Sequence, residues 1–361
     1  MAESVAREKF ACPSCGADAH WNPQRHALVC SYCGTVAPGE YGSGDVRELD
    51  LVTALRQIPE EKRGWKAEKR SVKCQSCQAI SVVDPERVAQ RCEFCGSAQI
   101  IPYDQIKAPV SPESLLPLKV PETVVREDLR RWYGSRWFAP SRLKTDAATD
   151  QIKGIYLPYW TFDAQAQAHW SADSGYYYYT SETYRDAQGN TRTRRVRHVR
   201  WQASSGSLNH FFDDELVPAT KGVDMTLLRK VEPFPTKELV PFSAGFIAGW
   251  VVEQYQIDLV GAAQHARQQM ESTLHGLCAK QVPGDTYRNL SVRSQFGQQT
   301  FKHILLPVWL VSYVYGGRTF QVIVNGYTGT IAGKHPLSPW KIAALIFVLL
   351  IAALLFLLFN R

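Results

Sequence analysis

Four Cys-x-x-Cys knuckles, in two matched pairs, constrain this chain more than any other feature. Cys12-Pro-Ser-Cys15 and Cys30-Ser-Tyr-Cys33 are separated by 14 residues, and Cys74-Gln-Ser-Cys77 and Cys92-Glu-Phe-Cys95 by the same 14. Each knuckle offers two sulfurs from one tight turn, and a short hairpin between knuckles brings four together around a tetrahedral ion. Gly16, Gly34 and Gly96 follow the second cysteine of three knuckles, where a left-handed backbone is required, and Gln78 takes that place in the fourth. A redox Cys-x-x-Cys is expected once beside a βαβ pattern, not four times in pairs. The opening Met1–Ala11 is short and polar, unlike a secretion signal, so a reducing compartment is expected to keep the thiols available. The spacing predicts two structural Zn²⁺ ions, held by Cys12, Cys15, Cys30 and Cys33 and by Cys74, Cys77, Cys92 and Cys95. Four protein ligands per ion leave no open position for catalysis.

Charge separates the two halves of the chain. Net charge is +7, yet residues 1–106 carry 13 basic and 14 acidic side chains. Each Zn²⁺ with four thiolates adds about −2. The amino-terminal segment therefore lacks the basic face of a nucleic-acid module and reads as a protein-docking or scaffolding element. The excess positive charge lies in residues 107–361, mostly in one hairpin. Tyr176–Tyr179 lead to a turn at residues 187–190, and the return strand carries Arg192, Arg194, Arg195, Arg197 and Arg200, with Arg185 before the turn. These arginines are candidates for an anionic partner: an acidic protein, lipid headgroups or single-stranded nucleic acid. A solvated hairpin with tyrosines shielding arginine stems is the plain alternative.

Five segments are expected: ribbon 1 (residues 1–41), a helical spacer (42–68), ribbon 2 (69–106), an α+β body (107–336) and a membrane anchor (337–361). The spacer reads as an amphipathic helix over Asp45–Glu61. In the body, helices are expected over Val124–Trp137 and Gln256–Lys280. Period-two alternation from Phe162 to Trp170 predicts a half-buried strand. Leu157-Pro-Tyr-Trp160 and Leu306-Pro-Val-Trp309 open similar runs, which suggests a duplicated β unit. His210-Phe-Phe-Asp-Asp-Glu215 reads as a loop after a buried Phe pair, and Cys278, His265 and His275 as non-catalytic.

Ile342–Phe359 contains no polar residue and as a helix is ~27 Å long, so a single carboxyl-terminal membrane span is expected. Trp340, Lys334, His335 and Lys341 flank it, placing the earlier domains in the cytoplasm and the protein in the inner membrane. The fold class expected is thus α+β: two small Cys₄ ribbons, a body with antiparallel β units and one transmembrane helix. No reaction is written in the chain. Gly329-Thr-Ile-Ala-Gly333-Lys334-His335 is one residue short of a P-loop and lacks its hydroxyl, and no hydrolase or kinase signature occurs. No catalytic residue is assigned.

The four knuckles, His210-Phe-Phe-Asp-Asp, residues 301–309, Val324-Asn-Gly-Tyr-Thr-Gly329 and the apolar carboxyl end together resemble a bacterial family of tail-anchored double zinc-ribbon membrane proteins. Its members are often labelled primosomal or superfamily II helicase-like. The resemblance implies a role beside stomatin/prohibitin/flotillin-like and phage-shock-type proteins. The function expected is a non-enzymatic zinc-binding adaptor that holds such a partner at the inner membrane. The alternative is a membrane-tethered nucleic-acid-binding protein using the ribbons and the arginine hairpin.

Overall fold

The computed structural model describes residues 10–37, 45–57, 70–83, 92, 94, 97, 99–102, 111–140, 152–185, 187, 189–315 and 318–359. Two long strands organise it. β9 (Ile152–Arg185) and β13 (Thr286–Tyr315) run antiparallel over most of their lengths, and the two Leu-Pro-x-Trp tetrapeptides meet at the centre, with Leu157 directly opposite Leu306.

Proline inside a central strand removes a ladder donor and is normally excluded. The topology removes the penalty. β9 pairs in parallel with β12 (Val251–Glu253) at Ile155 and Tyr156, then with β10 (Thr191–Pro218) from Tyr159 onward. Pro158 occupies the fork between these neighbours. Likewise β13 pairs in parallel with β8 (Ser114–Leu115) at Ile304 and Leu305, then with β14 (Arg318–Asn325) from Val308, and Pro307 occupies that fork. The Pro158 carbonyl accepts from Ala219 N–H at 3.0 Å and the Pro307 carbonyl from Gly326 N–H at 2.9 Å.

The two tryptophans complete the exchange between halves. Trp160 Nε1 donates to the carbonyl of Ile257, two residues before α4 (Leu259–Gln281). Trp309 Nε1 donates to the carbonyl of Val120, two residues before α2 (Glu122–Gly134), also at 2.9 Å. Each half thus fixes the start of the other half's helix. A β–α–β–β order, β8–α2–β9–β10 and β12–α4–β13–β14, is placed twice about the Leu157–Leu306 pair.

This arrangement corrects the expected fold class. Among the described residues the body is one 12-stranded mixed sheet rather than a set of antiparallel units, and ribbon 2 is part of it. β6 (Ile80–Val83) pairs with β12, and β5 (Arg70–Cys74) and β7 (Ile100–Pro102) extend the same sheet. Ribbon 1 keeps its own three strands, β1 (Ala19–Asn22), β2 (Ala27–Cys30) and β3 (Val36–Ala37). Where the spacer helix was expected, β4 (Leu49–Asp50) pairs with β13 and α1 covers only Leu51–Gln57; residues 58–61 lie outside the described residues.

Beyond the centre, β10, β9 and β13 continue as a three-stranded ribbon. On one face Ala164, Ala166, Ala168 and Ala172 are small enough to let α4 lie close, meeting Ala262, Ala266, Met270, Leu274 and Cys278. Cys278 is fully buried there, as a small packed hydrophobe. The opposite face exposes Gln167, His169 and Ser171.

α5 (Pro339–Phe359) begins against the turn after α2, where Lys341 Nζ donates to the carbonyls of Trp137 and Ala139. Among the described residues, no helix is long and apolar enough to cross a membrane. The expected transmembrane anchor over Ile342–Phe359, and with it the single-pass inner-membrane location, is corrected on this ground.

Candidate metal centres and the arginine ribbon

In ribbon 1 the knuckle at Cys12–Cys15 precedes β1, Cys30 closes β2, and Cys33 lies on the turn into β3. All four sulfurs lie within 4.8 Å of one another. Cys12 Sγ is 3.4 Å from Cys33 Sγ, and Cys15 Sγ is 3.5 Å from Cys30 Sγ. A disulfide requires about 2.05 Å. Four sulfurs at ~2.3 Å from one ion sit about 3.8 Å apart, close to what is observed. The knuckles also aim backbone N–H groups at sulfur, from Ser14 to Cys12 and from Tyr32 to Cys30, both at 3.4 Å. The Thr35 hydroxyl and backbone beside Cys33 hold its thiol down at about 6, while the neighbouring sulfurs, against the Ala17 backbone bond, push Cys15 up to about 12.

Ribbon 2 repeats the geometry. Cys74, Cys77 and Cys92 form a second cluster, with Cys77 and Cys92 sulfurs 3.6 Å apart and Phe94 N–H donating to Cys92 Sγ at 3.4 Å. Cys95, the fourth expected ligand, lies outside the described residues. The knuckle turns explain the residue after each second cysteine. Gly16 N–H closes on the Cys12 carbonyl with φ +74°, and Gln78 N–H closes on Cys74 with φ +64°, so Gln78 adopts the left-handed backbone its position demands. Both clusters can hold a metal ion, and their all-sulfur donors suit a soft tetrahedral one.

Each centre is tied to the body differently. Trp21 of β1 is buried against Phe246, donates Nε1 to the Leu118 carbonyl and its backbone N–H to Ala248. Ribbon 2 joins through main-chain pairing and through Phe94, which is fully buried and whose carbonyl accepts from the Ser312 hydroxyl.

Beside ribbon 2 lies Glu253, fully buried at the end of β12. It accepts from the Thr220 hydroxyl at 2.5 Å and from Gln256 Nε2 at 2.7 Å. Burial outweighs these bonds and pushes its carboxyl up to about 8. The folded chain therefore holds a proton that the unfolded chain sheds near 4.5. Stability is greatest below that value, falls as pH rises towards 8 and then levels. Glu253→Gln should match the wild type at pH 4.5 and exceed it at pH 9 by on the order of 5 kcal/mol. Urea unfolding at both pH values measures this, and equal stabilities at pH 9 would contradict it.

The sequence reading missed a second buried ionic group. Asp213 and Asp214 are not a loop; they form a bulge within β10, two residues opposite Asp163 of β9, with φ +52° at Asp214. Lys302 Nζ, on β13, sits 2.7 Å from Asp214 and 3.2 Å from Glu48, while Asp163 accepts from Thr300 Oγ1 and from Asp214 N–H. His210 packs on Phe212, and Phe211 is exposed rather than buried with it. Among the described residues no contact joins His210 to either aspartate. Burial raises Asp163, and its partners hold Lys302 charged. The cluster fixes the bulge.

The predicted arginines lie near the end of the β10–β9 ribbon. Arg195 stands over Tyr179 at 4.0 Å and Arg197 over Tyr177 at 4.4 Å, each on the diagonal of its cross-strand partner. Arg194 is on the other face, paired with Glu182 at 3.0 Å and 5.6 Å from the Tyr184 ring. Arg192 and Arg200 share that second face with His198, which stacks on Tyr178. Further along, Arg288 of β13 stands over Trp201 at 4.2 Å. Gly329 and residues 331–333, the near-match to a P-loop, form a turn and a short strand, not a loop entering a helix.

No family model and no solved structure matches the chain. It is similar to the uncharacterized protein YdjG of Bacillus subtilis (strain 168), 24% identical over 339 residues, which covers 93% of this chain and 92% of that protein. The similarity therefore spans the ribbons and the body together.

Proposed function

We propose that this chain is a non-enzymatic, zinc-stapled adaptor that grips a protein partner through its body. The observation carrying the proposal is the way both thiolate clusters are built into the scaffold, one through Trp21 and one through β6–β12 pairing. Zn²⁺ is the ion proposed at each, because it prefers tetrahedral thiolates and brings no redox chemistry of its own. Ions in such places act as folding elements. The partner class proposed is the stomatin/flotillin-like or phage-shock-type proteins implied by the resemblance. A nucleic-acid ligand is the weaker reading: stacking needs open aromatic faces, and Tyr177 and Tyr179 each already have an arginine over the ring.

The test is affinity capture of the tagged full-length chain from the cells that make it, after nuclease treatment, with mass spectrometry. The wild type should enrich a protein of the proposed class, and Cys92→Ser should lose at least tenfold of it. Equal recovery by both, or no such protein, would contradict the proposal.

A further inference from the structure

We infer that the free edge of β10 between Arg192 and Arg200 receives an extended acidic peptide as an added strand. The inference rests on the adaptor reading and names the surface that grips the partner. Two independent observations carry it.

The first is main-chain. Among the described residues β10 pairs with β9 alone, although it is 28 residues long. Its outer edge presents a row of backbone donors and acceptors, the template that strand addition uses. Proteins commonly blunt such edges with bulges, prolines or short strands. The one register shift of β10 lies far away at Phe212–Glu215, and its proline is the last residue.

The second is charge. Six arginines stand between residues 185 and 200, while the hairpin's own acids are Glu182 and Asp186. Arg194 takes Glu182. Among the described residues Arg195 and Arg197 have no carboxylate partner and are held over tyrosine rings instead. A charge that merely guards an edge needs only to be solvated. A guanidinium seated on a ring has lost much of its rotamer freedom in advance, so it binds a carboxylate at lower entropic cost. Arginines occupy both faces of β10, odd-numbered Arg195 and Arg197 on one, even-numbered Arg192, Arg194 and Arg200 on the other. Alternate side chains of an added strand point to opposite faces, so one set of its acidic residues lies along the face that carries Arg195 and Arg197.

The experiment is fluorescence anisotropy with the full-length, zinc-loaded chain and a fluorescein-labelled (Thr-Glu)₅ peptide at low salt. Parallel titrations use (Thr-Lys)₅, (Thr-Glu)₅ with alternate residues N-methylated, and single-stranded (dT)₂₀. The chain should bind (Thr-Glu)₅ and not (Thr-Lys)₅. Arg195→Ala/Arg197→Ala should weaken binding about tenfold, and Arg195→Glu/Arg197→Glu should abolish it. N-methylation on the pairing edge should abolish binding while leaving charge intact. No binding of (Thr-Glu)₅, unchanged affinity in both double variants, or equal binding of the N-methylated peptide would overturn the inference. So would tighter binding of (dT)₂₀ than of the peptide. Because the purified chain is used alone, a negative result here removes this surface without touching the capture result on the adaptor.

Discussion

Cys92→Ser should release one of two bound zinc ions and lower the melting temperature of the whole body by about 10 °C. Cys30→Ser should release the other ion and leave the body's main transition nearly in place. The difference follows from attachment. β6 donates its edge to β12, and β12 in turn pairs with β9 beside the central Leu157–Leu306 crossing. Unfolding ribbon 2 therefore strips a neighbour from the sheet and exposes Phe94, Ala79 and Glu253, all buried. Ribbon 1 has its own small sheet, and its loss costs the body chiefly the Trp21 contact with Phe246 and Leu118. Metal analysis with differential scanning calorimetry in reducing buffer distinguishes the two. Identical melting curves for both variants would contradict the different roles assigned to the ribbons.

Trp160→Ala and Trp309→Ala should each destabilise the fold by about 3–5 kcal/mol. Both side chains are almost wholly buried, and both indoles bond a carbonyl just ahead of a helix in the opposite half. Truncation leaves a cavity and orphans the Ile257 or Val120 carbonyl, so α4 or α2 loses the fixing of its first turn. Trp340 is 83% exposed, and Trp340→Ala should change stability by no more than about 0.5 kcal/mol. Denaturant unfolding followed by far-UV circular dichroism measures all three. A Trp160→Ala shift no larger than that of Trp340→Ala would remove the crossing from its central place.

The local features of this fold are visible in its residues. The knuckle spacing leads directly to the sulfur clusters, helical periodicity leads to α2 and α4 within a few residues, and the Ala164–Ala168 alternation marks the helix-facing side of β9. The Tyr and Arg runs do form one hairpin. The non-local pairings are less accessible. Leu-Pro-x-Trp occurring twice hints at related units, but only the folded chain shows the two copies facing one another, with each proline at a fork that needs no N–H. Residues 202–209 of β10 are small or polar except Leu208, so hydrophobic patterning cannot mark the strand although half-buried and exposed positions alternate from 203 to 209. The aspartates at 213–214 looked like loop residues because acids next to each other disfavour a strand. A bulge and the Lys302 ion pair accommodate them. Ribbon 2 resembled an independent module since its ligands are local in sequence, whereas the β6–β12 pairing is set by residues some 170 positions away.

Direct determination of zinc in the purified chain, by inductively coupled plasma mass spectrometry under reducing conditions with the intact mass recorded alongside, tests the central claim most closely. The account predicts two zinc ions per chain and a mass with every cysteine reduced. A chain with one ion or none, or with knuckle cysteines joined as disulfides, would contradict it.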